Sequence, residues 1–198
     1  MNTQPSETDK QIARFVASVF DGERRFFRHW SDELNANIDV IQFPPSAVTS
    51  GMKVCSTLGL SVLPTGIEVE GVPLGVELYS AMKPDAPLLD DIVATCAFHV
   101  MGGYAHARPN ALVRHGIACV DGTDDLTVRH ALLVDPFWGE LRTQHYPTRV
   151  VTWLFVFPIT DPELKMIERV GCEAFLDEME RQKFDCFDLQ RDSIHADL

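Results

Sequence analysis

Cys96, His99 and His106 are the residues whose types could do chemistry together. Cys96 and His99 stand one helical turn apart, so a helix would put them on one face. A thiolate beside an imidazole makes a nucleophile with its base. His106 as a third donor would complete a zinc set. Against this, Cys96 falls on the stripe Leu89-Ile92-Val93-Cys96-Val100, which reads as core, and Gly102-Gly103 separates His106 from that stripe. His115 and His145 fall in loops, where an imidazole can meet a partner or respond to pH. The paired acids Asp90-Asp91 and Asp124-Asp125 lack the spacing of a calcium loop and read as a helix start and a turn. No glycine run leads into a phosphate-loop lysine, and neither GxSxG nor HExxH occurs. No residue is therefore expected to be catalytic or to hold a metal, and no cofactor is implied.

These residues sit in a chain of 198 with 45% hydrophobic and 23% charged residues, ordinary globular usage with enough apolar surface for a real core. The net charge is −12, which argues against nucleic acid or an anionic membrane as the main partner. Half of that excess lies in residues 161–198, with five basic and eleven acidic side chains. The five cysteines are an odd, widely spaced set without CxxC, as expected of reduced thiols in a cytoplasm. The start MNTQPSETDKQ lacks the apolar core of a signal peptide. The longest apolar stretch, Val150 to Ile159, is too short to span a membrane.

Ser6 and Asp9 form a capping pair before Ile12, Phe15, Val16, Val19 and Phe20, which recur at helical spacing. Asp21-Gly22 ends that helix. Glu23 to Trp30 reads as a second turn or short helix in which Phe26, Phe27 and Trp30 pack. Residues 1–36 are thus a helical segment of the same domain, and 37–198 its body. Ile38 to Ile41 reads as a strand stopped by Pro44-Pro45, followed by a strand near 52–57. Ile67-Val69 and Leu74-Leu78 alternate with Glu68, Glu70, Gly75 and Glu77, which predicts two strands, each with one wet face. Pro84 and Pro87 frame the start of a helix that Gly102-Gly103 stops. Gly116–Val120 and Leu126–Val134 read as a hairpin around Asp121 to Asp125. Val150–Phe157 is apolar almost throughout and predicts a central strand buried on both sides. Thr160 or Asp161 caps a helix with Pro162 at its start, Gly171 breaks it, and Ala174, Phe175 and Met179 continue its inner stripe. The expected class is α+β: one domain with a mixed, mainly antiparallel sheet packed by helices.

Several segments, read in order, resemble one family. They are Ile38-Asp39-Val40 with Phe43-Pro44-Pro45, the turn Thr57-Leu58-Gly59-Leu60-Ser61, the pair Glu77-Leu78, Phe155 to Ile159 followed by Asp161 and Glu163, and Gly171 with an apolar-acidic helix and the closing Asp188-Leu189-Gln190-Arg191. Together, over residues 37–195, they resemble the suppressor-of-fused (SUFU) domain family in its single-domain bacterial form. The resemblance implies a non-catalytic protein-binding module. Bacterial relatives are read as immunity proteins, and the partner would be a basic toxin encoded nearby.

The acidic balance suits such a partner. Glu173, Asp177 and Glu180 share one outward face of the expected last helix, and Glu77 stands on a wet strand face. These four are the candidate partner-binding residues. Two other readings remain open: a small hydrolase-like enzyme using the Cys/His residues, and a structural domain whose partner is a second copy of itself, as a homodimer.

Overall fold

A computed structural model describes residues 5–86, 88–182 and 184–194; Pro87, the second framing proline, lies outside them. Helix α1 (Glu7–Phe20) starts from Ser6, whose hydroxyl accepts from the Asp9 amide while Asp9 accepts from the Ser6 amide. That reciprocal pair satisfies two donors left open at a helix start. Strands β1 (Arg25–Ser31), β2 (Ala36–Phe43) and β3 (Lys53–Leu58) follow as an antiparallel meander. A single 3-10 turn (Leu60–Val62) and the short β4 (Glu68–Val69) lead into the long β5 (Val72–Met82). Helix α2 (Leu89–Met101) precedes β6 (Ala111–Val113) and β7 (Val128–Val134). The short β8 (Gln144–His145), the long β9 (Val150–Thr160), α3 (Asp161–Val170) and α4 (Cys172–Gln182) complete the order.

The strands make one mixed sheet in the order β1-β2-β3-β5-β9-β7-β6, with β4 on β5 and β8 on β9. Only the β5–β9 pair among them is parallel. The expected α+β class and mainly antiparallel sheet are present, and β9 is central. Phe155 is fully buried, edge-on to Tyr79 at 5.1 Å and to Phe137 at 4.7 Å. Helices cover both faces. Phe20 of α1 packs on Phe43, while Asp90 of α2 bonds to Gln42, the neighbour of Phe43 in β2. Adjacent strand residues point to opposite faces, so α1 and α2 lie on opposite sides.

Three sequence expectations change. Residues 25–31 are strand, not helix: Phe26, Arg28 and Trp30 face out while Phe27, His29 and Ser31 turn inward, a period of two. Seven register pairs with β2 settle what the closely set aromatics alone left ambiguous. Consequently Phe26 (58% exposed) and Trp30 (53%) do not pack into the core. Second, the hairpin partner of β7 is β6, not Gly116–Val120. The latter coils into turns, starting from His115 with φ +59° and closed by the Cys119 amide on the His115 carbonyl. Third, β5 has no wet face from Gly75 onward, because it is flanked by β3 and β9 under both helical layers. Gly75 is required there, since a Cβ would stand 2.1 Å from the Ser61 carbonyl oxygen.

The C-terminal segment straps across the sheet. The Lys83 amide donates to the Phe187 carbonyl at 3.1 Å, and its ammonium meets Asp185 at 2.9 Å and Asp188 at 2.7 Å. The bonds from Lys83 and from the Gln190 amide hold the Asp188 carboxyl below its ordinary 3.8. A depressed carboxyl contributes its stability above the unfolded value and loses it as pH falls through the folded one. Acidification below 3.8 should therefore loosen the strap, and a Lys83→Met variant should show a shallower acid branch in stability against pH. At the centre of the sheet, Phe155→Ala should cost about 3–5 kcal/mol in denaturant unfolding.

Candidate functional site

The Cys96, His99 and His106 trio does not assemble. Cys96 is fully buried, its Sγ lies under Gly116, and burial pushes its thiol up to about 12. His99 turns its Nδ1 to the Thr95 carbonyl of its own helix at 2.9 Å. His106 is exposed beyond the helix end and lines a different hollow, with Leu60 and Pro64. His145 is exposed in β8. His115 is exposed too, but its ring packs edge-on at 4.8 Å against His130, a buried histidine that the sequence reading did not single out. The His115 amide donates to His130 Nδ1, so Nε2 carries the proton and donates to Asp161 at 2.8 Å. This chain of bonds ties the 114–120 turns to the start of α3.

Glu77 is not on a wet face. It is fully buried, and its carboxylate accepts from Thr57 Oγ1 (2.5 Å) and from the amides of Gly59 (3.0 Å), Leu60 (3.2 Å) and Ser61 (3.1 Å). Gly59 sits at φ +103°, a conformation open to glycine, and this aims three consecutive amides at one point. The alternation that put Glu77 outside failed because β5 has neighbours on both edges and cover on both faces. Glu77 therefore cannot touch a partner.

Glu163 is buried in the same way. It caps α3 by accepting from the Thr160 amide, receives the Ile194 amide at 3.0 Å, and forms a two-pronged pair with Arg191 at 2.6 and 2.8 Å. Arg191 also donates to the Pro158 carbonyl at 2.8 Å and lies over the Phe184 ring at 4.2 Å. Both oxygens of each buried carboxylate are taken by protein donors, so their chemistry is structural.

What faces solvent is α4 and the outer strand. Phe175 is buried against Phe157, while Glu173, Asp177 and Glu180 are exposed, as their spacing predicts. Glu178 pairs with Arg181; the other three acids form no ion pair among the described residues. At the far end of the sheet, Phe26 and Val62 border a groove of about 890 Å³ between α1 and the β1–β2 pair. Across the sheet from it, His29 stands between Asp90 and Asp91. Among the described residues no helix is long and apolar enough to cross a membrane.

The model of the Suppressor of fused protein (SUFU) family matches residues 35–192. This chain belongs to that family. A curated relative, the Immunity protein YqcF of Bacillus subtilis (strain 168), is 31% identical over 194 residues, covering 96% of this chain and 98% of its own. Solved structures with this fold include a SUFU homologue of Neisseria gonorrhoeae FA 1090, at TM-score 0.70 and 16% identity, covering 96% of this chain and 98% of that one. The Sufu-Fu complex matches at TM-score 0.67 and 12% identity, covering 96% of this chain and 93% of that one. Drosophila Suppressor of Fused matches at 0.65 and 13%, covering 92% of this chain but 50% of the other.

Several of the segments that carry the SUFU resemblance surround the buried carboxylates. Thr57 to Ser61 closes on Glu77, and Arg191 closes on Glu163. Removing one partner of such a pair strands a buried charge. Arg191→Met should cost about 3–5 kcal/mol in chemical unfolding. Glu77→Gln, which sets an amide N–H against donors, should cost about 1–3 kcal/mol and leave partner binding by the folded fraction unchanged.

Proposed function

We propose that this SUFU-family chain is a cytoplasmic, non-catalytic binding protein of the immunity class, which neutralises a basic protein toxin by covering it. The observation that carries this reading is the 31% identity to an immunity protein over nearly the whole of both chains. The failure of Cys96, His99 and His106 to meet supports it over the hydrolase reading. The partner surface we assign is the exposed face of α4, with Glu173, Asp177 and Glu180. Half of the net −12 falls in residues 161–198, so a cationic partner approaching this region gains from long-range attraction. Charges there are screened beyond about 8–10 Å at physiological ionic strength, so salt should slow the encounter.

The test is binding kinetics with the product of the neighbouring gene, at low and high salt. Glu173→Lys, Asp177→Lys and Glu180→Lys combined should lower the on-rate roughly tenfold at low salt and flatten its salt dependence. The melting temperature should barely move, because the three side chains are exposed. An unchanged on-rate would overturn the assignment of this face. Absence of any complex, together with no protection of cells expressing that gene, would overturn the immunity reading itself.

A further inference from the structure

His29, Asp90 and Asp91 come from parts of the chain sixty residues apart. His29 is an inward position of the outermost strand β1, and the two acids occupy the first turn of α2. One donor atom from each lies within 4.8 Å of the others. His29 Nε2 stands 3.5 Å from Asp90 Oδ2, and Nδ1 stands 3.3 Å from Asp91 Oδ1. Neither contact is an ordinary hydrogen bond, for which a ring nitrogen and a carboxylate close to about 2.7–2.9 Å. Nε2 is buried and makes no hydrogen bond among the described residues.

Adjacent donors on a cation at about 2.0–2.2 Å stand about 3.0–3.5 Å apart. A cation takes only one of the two ring nitrogens, so the three donors, which lie within 4.8 Å of one another, reach that spacing by a small side-chain rotation. Gln42 Nε2 donates to Asp90 Oδ1 at 3.3 Å, which leaves Oδ2 facing His29. Asp91 is the most exposed of the three and adjusts by a side-chain rotation. Beside them a cleft of about 410 Å³, lined by His29, Asp91 and His99 among others, gives water room to fill the remaining positions. Two carboxylates and a neutral imidazole balance one divalent charge. A mixed nitrogen–oxygen set of this kind suits a first-row transition dication such as Zn2+ over Mg2+ or Ca2+, which favour oxygen alone.

We propose that His29, Asp90 and Asp91 bind a Zn2+-class cation that clamps the edge strand β1 to the start of α2. This departs from the sequence expectation of no metal, because no spacing in the chain announces a site built from two distant segments.

The test uses the metal-stripped full chain. Zn2+ added in a calorimetric titration should bind one equivalent and raise the thermal midpoint. Co2+ should give a visible spectrum of nitrogen–oxygen ligation without thiolate charge-transfer bands, which separates this site from the free cysteines. Asp91→Asn and His29→Gln, each folded by circular dichroism, should weaken binding at least about tenfold. A large excess of Mg2+ should not displace the ion. Thiolate bands, or binding that survives both substitutions, would overturn the proposal. So would no binding at all.

Discussion

A carboxylate shut away from water must find donors inside the protein, and Glu77 finds four. An ionised carboxyl in an apolar interior is among the most unfavourable groups to bury alone. The turn 57–61 must therefore hold one shape, with Gly59 left-handed and three amides converging. That shape sets where β3 ends and how the following turn presses on β5, where only a glycine at 75 leaves room for the Ser61 carbonyl. β5 in turn is the strand against which β9 pairs in parallel, the one parallel junction joining the two antiparallel halves of the sheet.

Glu163 does the same work at the other end. It terminates β9, starts α3 and anchors the C-terminal segment through Arg191. The two carboxylates thus lock the central strands at their connections, while apolar contacts such as Phe155 with Tyr79 fill the space between. Buried ionic contacts of this type add little net stability over a well-packed apolar alternative, but a partner lost from either is costly. Their value here is in specifying one connection geometry, which accounts for the SUFU-like segments at 57–61 and around Arg191 that close on them.

Such a framework leaves recognition to the outside. The interior is committed to packing and to satisfying buried charges, and Cys96 and His130 are both absorbed by it. The exposed acids of α4 and the outward aromatics of β1 have no comparable internal duty. A surface of this kind can vary with its partner while the fold stays constant. That fits a family whose solved members share this architecture at 12–16% identity with this chain.

Local patterns in the chain were enough for α1, α2, β9 and α3. Their periodicity, caps and breaks act over a few residues, and Ser6, Thr160 and Gly171 sit where those rules place them. The outward face of α4 was legible for the same reason, because helical spacing alone separates Glu173, Asp177 and Glu180 from Phe175. Tertiary structure decided the rest. Strand β1 exists because β2 offers it a partner, and its aromatics alone carried a helical and a strand period at once. Glu77 alternates like a surface residue, yet non-local neighbours on both edges and both faces of β5 make it the most enclosed acid of the sheet. Its donors lie sixteen to twenty residues back, beyond the reach of any local rule. His29 meets Asp90 and Asp91 only through the packing of α2 on the sheet, and that contact depends on the fold being complete.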